Sequence, residues 1–161
     1  MIQLVRVAII RTRNNMSETF LFPFVAIAFL IIFPLFWFGV VWMVSRIGGW
    51  AKLASIHPAN APVQGDVYRW RSARIRLFSS YRSSLTITVN NEGIHMQPLI
   101  FFRFGHEPIF IPWQAVSKLE RTTLWPLASA KMEIRMASGE KPMTLKLYGD
   151  DLAECLERMQ Q

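Results

Sequence analysis

The chain has 161 residues, 52% of them apolar, and a net charge of +7. That apolar fraction is high for a soluble domain of this size, and the length suggests one modest domain plus an extra segment. A single cysteine, Cys155, excludes an intrachain disulfide and fits a reducing compartment.

Residues 1–19 form an N-terminal flank. Within it "IQLVRVAIIRTR" is apolar enough to lie along a membrane interface, but its alternation fits neither helix nor strand cleanly. Met16 is an alternative start, since "MSETFLFPF" reads as a compact opening to a membrane segment, and residues 1–15 would then not be translated. Residues 20–45, "FLFPFVAIAFLIIFPLFWFGVVWMVS", hold no charged side chain in 26 positions. As a helix they measure roughly 39 Å against a hydrocarbon core of about 30 Å, so they predict one transmembrane helix. The run is longer than the apolar region of a cleaved signal peptide and lacks a small-residue cleavage site.

Pro23 is expected in the helix's first turn and Pro34 at a bend near its middle. Trp37, Trp42 and Trp50 are expected to form an interfacial belt, and Gly48-Gly49 to end the helix. With no ionisable group inside it, the helix offers no proton relay or ion path. The positive-inside comparison is close to a tie: Arg6, Arg11 and Arg13 precede the span, and Arg46 and Lys52 follow it. The acid-free arginine run beyond, together with the Met16 start, tilts the C-terminal domain to the cytoplasmic side.

Residues 46–65 read as a juxtamembrane linker, with one short interfacial helix turn in "GGWAKLA" and a solvated His57. Residues 66–161 read as a mainly-β domain closed by a helix. In "DVYRWRSARIRLF", Tyr68 and Trp70 share one parity and Ile75 and Leu77 the other. A β-bulge near Ser72–Ala73 would give one apolar face, with Arg69, Arg71, Arg74 and Arg76 together on the opposite one. "SLTITVN" alternates, "NNEG" is a hairpin turn, and Ile94 and Met96 open a strand that Pro98 must leave at an edge.

In "HEPIFIPWQAV", residues 106–116, Ile109 and Ile111 face the core, Pro112 ends the strand and Trp113 plugs the turn. His106 and Glu107 are expected at an exposed turn tip, where His106→Ala costs little. "SKLERTTLW", "AKMEIRMA" and "PMTLKLY" give three further strands, with "SGE" turning the chain before the last. In "GDDLAECLERMQQ", Leu152, Cys155, Leu156 and Met159 make the buried stripe of an amphipathic helix. Cys155 is therefore expected as a core residue rather than a nucleophile.

About seven antiparallel strands followed by one C-terminal amphipathic helix resemble the pleckstrin-homology (PH) fold. More narrowly, "LTITVNNEGIHMQ…IFIPWQAVSKLE" resembles bacterial PH-like domains attached to membrane helices. "FFRFGHEP" resembles a family of uncharacterised single-span bacterial proteins. The resemblance covers residues 66–161. It implies an inner-membrane, single-pass protein carrying a binding module for lipids, peptides or proteins.

Charge suggests the ligand. Residues 46–161 hold 15 Lys/Arg and 10 Asp/Glu, and Arg69, Arg71, Arg74, Arg76 and Arg82 cluster near the membrane segment. Anionic headgroups would attract such a strand by about 1 kcal/mol per basic group. A solvated, edge-protecting strand face is the plainer reading of the same arginines. Nucleic acid is not expected as a partner, because Tyr68 and Trp70 point away from the arginine face.

No enzyme is expected, and neither a cofactor nor a small-molecule substrate. "HEPIF" lacks the second histidine of H-E-x-x-H, and no phosphate loop, G-x-S-x-G or Cys/His metal set is present. Two expectations remain: a membrane-tethered interaction module for headgroups or a membrane protein partner, and a structural subunit whose helix packs on other membrane helices around Pro34 and Gly39.

Overall fold

A computed structural model of the chain describes residues 2–61, 63–76, 79–124, 127–136 and 140–159. It resolves into two compact units, residues 1–40 and 41–161. Helix α1 runs Ile2–Gly48 and supplies all of the described first unit and the start of the second. Its stretch Leu21–Gly48, 28 residues, is long and apolar enough to cross a membrane.

The helix therefore begins well before the expected position, and Pro23 lies in its interior rather than in its first turn. Once a helix is nucleated, adding a residue costs little, so a weakly patterned flank is carried along. Phe22, Phe24, Leu30 and Leu35 are exposed, and Phe29 stacks on Phe33 at 5.2 Å between centroids. A Cβ placed on Gly39 would meet nothing within 4 Å.

In the second unit the last two turns of α1 are part of the β domain. Val41, Ser45 and Gly48, spaced i, i+4, i+7, are buried, while Trp42, Met43 and Ile47 are exposed. Glycine is required at 48 because a Cβ there would lie 2.4 Å from Ser79 Oγ. Gly49 takes φ +87° and ends the helix, as expected.

Helix α2, Trp50–Ile56, follows directly. Trp50 and Leu53 are fully buried, and the Trp50 indole N–H donates to the Glu107 carbonyl at 2.8 Å. This corrects two expectations. Trp50 is not an interfacial belt residue, and the first half of the expected linker is core. The next residues also engage the domain: Phe110 N–H donates to the His57 carbonyl at 3.0 Å, and Ala59 N–H to the Pro108 carbonyl at 3.1 Å.

Seven antiparallel strands then form one curled sheet. They are β1 Asp66–Ile75, β2 Ser79–Val89, β3 Gly93–Pro98, β4 Ile109–Pro112, β5 Val116–Leu124, β6 Leu127–Ile134 and β7 Met143–Tyr148. Their order across the sheet is β4-β3-β2-β1-β7-β6-β5. Alternate residues of each strand point inward, so Ile75, Leu85, Ile87, Ile94, Met96, Ile109, Ile111, Met132, Ile134 and Leu145 fill one core. Helix α3, Asp150–Arg158, closes it with Leu152, Ala153, Cys155 and Leu156. The expected "NNEG" turn is present: Asn90 Oδ1 accepts the N–H groups of Glu92 and Gly93, each at 3.0 Å. Leu77 and the Ser138–Gly139 part of "SGE" lie outside the described residues.

Strand β1 departs from expectation. Its register against β2 shifts twice, between Tyr68 and Arg71 and again between Arg71 and Ala73. Only the second shift lies at the expected bulge. The first leaves Trp70 at φ +58° and 66% exposed, so it does not share the core face with Tyr68. It also returns Arg71 to the inward parity of Ala73 and Ile75. There Arg71 is half-buried, pairs with Asp151 of α3 and lies 5.7 Å over the Tyr68 ring.

Candidate functional site

The arginines singled out in the sequence separate in space. Arg71 is a tie between β1 and α3. Arg69 and Arg82 are exposed elsewhere on the strands. Arg74 and Arg76 stay together, at the end of β1 nearest the end of α1.

Sheet order brings two unexpected cations to them. Arg74 stands opposite Lys146 of β7, and Lys146 stands opposite Lys131 of β6. Three adjacent strands thus carry a lateral row of positive charge on the face away from the core. Like charges directly opposite one another in a sheet are destabilising. Among the described residues, the ion pairs are Lys52–Glu140, Arg71–Asp151, Lys118–Glu120 and Arg121–Glu157, and none includes the row or Arg76. Glu120 is opposite Lys131 in register, but its carboxylate meets Lys118 at 2.5 Å, which holds it below the usual carboxylate range.

These four cations line a cleft of about 610 Å³. Ile47 and Gly48, the last residues of the apolar helix, form another part of its wall, with Ser79 and Thr144 also lining it. The volume suits a headgroup-sized ligand. Charge is polarised along β1: its other end borders a shallower hollow that includes Asp66 and Glu92, about 26 Å from Arg74 at 3.3 Å per residue. The alternation in "AKMEIRM" and "PMTLKLY" marks Lys131 and Lys146 as outward-facing. Only the β1-β7-β6 order shows that they join Arg74.

His106 is not at an exposed tip. It is 2% exposed, with its ring packed against Trp50 and Tyr81 at 5.5 Å from each centroid. Tyr81 O–H donates to Nε2 at 3.0 Å, and Nδ1–H donates to the Phe104 carbonyl at 3.2 Å. Burial lowers its pKa, opposed by the Phe104 carbonyl, and burial pushes Tyr81 up to about 12. The tight turn itself is where the sequence placed it, with His106 N–H donating to the Arg103 carbonyl at 2.9 Å. The ring is drawn inward because Trp50, expected elsewhere, provides its pocket. Among the described residues no group of three or more His, Cys, Asp or Glu side chains is placed to hold a metal ion. Compared with known proteins, the chain matches no family model and no curated sequence.

Proposed function

We propose that this protein is a membrane-anchored, non-enzymatic PH-like module whose basic cleft holds anionic lipid headgroups at the surface where α1 leaves the bilayer. The observation that carries this reading is the Arg74–Lys146–Lys131 row with Arg76. Four cations crowd together, none of them in an ion pair among the described residues, beside the last residues of the apolar helix. Such crowding costs stability on its own and is relieved by an anion. An anchored protein meets phosphate-bearing headgroups at that level, and each nearby cation contributes about 1 kcal/mol of attraction.

The strand order and the closing α3 support the PH-like assignment. The excess of basic residues supports a cytoplasmic, inner-membrane placement of the domain.

The test uses the full chain reconstituted in phosphatidylcholine bilayers, with spin-labelled phosphatidylglycerol or spin-labelled phosphatidylcholine as the probe. The immobilised fraction of each label measures its affinity for the protein surface. Phosphatidylglycerol should be preferred, and the preference should fall in high salt. Replacing Arg74, Arg76, Lys131 and Lys146 by Gln should remove it, with each neutralised cation lowering the association by up to about fivefold. An equal preference in the wild type and the fourfold variant refutes the proposal.

A further inference from the structure

The loop Leu99–Gly105, "LIFFRFG", carries large apolar side chains that are exposed. Ile100 is 71% exposed, Phe101 75% and Phe104 53%. Its neighbour is the apolar helix. A Cβ on Gly105, which takes φ +70°, would lie 3.1 Å from Trp42 Cδ1, and Ser45 Oγ–H donates to the Gly105 carbonyl. Trp42 and Ser45 both belong to the apolar stretch Leu21–Gly48.

We infer that this loop is a second membrane-inserting element, entering the same leaflet beside the helix. The inference rests on the proposed anchoring of α1 but not on headgroup binding in the cleft.

Depth follows from arithmetic along the helix. Twenty-eight helical residues measure about 42 Å, roughly 12 Å more than a hydrocarbon core, so one or both ends stand in the headgroup layers. Trp42 lies about 9 Å before the end at Gly48, and a tryptophan there marks the boundary between acyl chains and headgroups. Arg46 sits 5.4 Å over its ring, the usual pairing of an interfacial aromatic with a cation that reaches outward. A loop touching Trp42 is therefore at the acyl boundary, and Ile100 and Phe101 face hydrocarbon rather than water.

The loop is also built for that environment. Three of its backbone donors bond within the domain: Leu99 N–H to the Ser84 carbonyl at 2.9 Å, Phe102 N–H to the Leu99 carbonyl at 2.8 Å, and Arg103 N–H to the Ile100 carbonyl at 3.3 Å. Each such bond lowers the cost of bringing the loop backbone up to the acyl boundary. The loop's base is held by the buried His106 and by the Trp50 bond to Glu107. Arg103, the loop's one charge, donates Nε–H to the Pro98 carbonyl at 3.4 Å and is long enough to keep its head among phosphates. A protein partner would also cover such a patch, but continuity with the apolar helix selects the bilayer.

The experiment places a fluorescent thiol label at Phe101→Cys, Ile31→Cys or Glu154→Cys in the full chain in phosphatidylcholine vesicles. The wild type, whose Cys155 is buried, serves as the unlabelled control. Phe101→Cys should show a blue-shifted emission, strong quenching by lipids brominated on their acyl chains and little quenching by aqueous iodide, as at Ile31→Cys. Glu154→Cys should show the reverse. If Phe101→Cys is quenched by iodide like Glu154→Cys while Ile31→Cys stays protected, the loop inference fails and the anchoring stands. Protection from both quenchers means a protein surface covers the loop and also overturns it. Iodide quenching at Ile31→Cys overturns the anchoring and the inference together.

Discussion

Replacing Trp50 separates two physical pictures of the segment after the helix. If Trp50 were an interfacial belt residue, Trp50→Ala would barely change the β domain. In the structure its side chain is fully buried, edge-on to Tyr81 at 5.1 Å and tilted against His106 at 5.5 Å. Truncating a buried tryptophan costs about 3–5 kcal/mol. The Glu107 carbonyl also loses its indole donor, which adds about 1 kcal/mol. A loss of about 5 kcal/mol consumes a large share of the 5–15 kcal/mol typical of a domain. For a domain of about 120 residues, at roughly 4 °C per kcal/mol, the unfolding midpoint should fall by about 20 °C. Trp50→Phe keeps most of the ring packing and loses only the N–H, so it should cost about 1–2 kcal/mol. Trp42 is 47% exposed beside the Gly105 loop, so Trp42→Ala should lower the midpoint far less than Trp50→Ala. The assay is thermal unfolding of the full chain in mild detergent, followed by the β-sheet circular dichroism. A Trp50→Ala midpoint within a few degrees of wild type would refute the burial and, with it, the inclusion of α2 in the core.

His106 and His95 are both held neutral by burial, with pKa values below the ordinary 6.5. The unfolded chain therefore binds more protons than the folded one, so their contribution is complete above about pH 6.5 and declines as the pH falls through the lowered folded-state values. The midpoint should be flat from about pH 7 to 8 and fall between about pH 6.5 and 5, and His106→Ala should reduce that slope while costing about 1–3 kcal/mol through the stranded Tyr81 hydroxyl. A pH-independent midpoint across this window would contradict it. Trp113 is only half-buried but donates its indole N–H to the Asn90 carbonyl at 2.9 Å. Trp113→Ala should cost about 2 kcal/mol, less than the full-burial figure, and a loss as large as that of Trp50→Ala would show that the half-exposed placement is wrong.

What could be read from the sequence was local. The apolar run, the alternation of Leu85, Ile87 and Val89, and the i, i+3, i+4 stripe of α3 are periodicities a few residues long. They reappear as a 47-residue helix, seven strands and a closing helix. What was misread depends on partners far away in the chain. Trp50 looks interfacial until Tyr81 and Glu107 are beside it, and His106 looks solvated until Trp50 is. The arginine cluster misled for a related reason. Proximity in sequence grouped Arg71 with Arg74 and Arg76, yet a double register shift turns Arg71 inward. Their true companions, Lys131 and Lys146, come from strands more than fifty positions later. Alternation identifies outward residues but not which strands are neighbours.

Because α2 lies between the helix and the strands yet fills the domain's core, the exposed residues Asn60, Ala61, Gln64 and Gly65 are a poor place to divide the molecule. A protease acting there would leave Trp50 and Leu53 on the helical stub and set free a β sheet with its core open at one end. Shedding of a sound domain would require a cut inside α1 itself, where the backbone amides are tied up in the helix. The β domain is thus complete only with α2 and the last turns of α1 still joined to it.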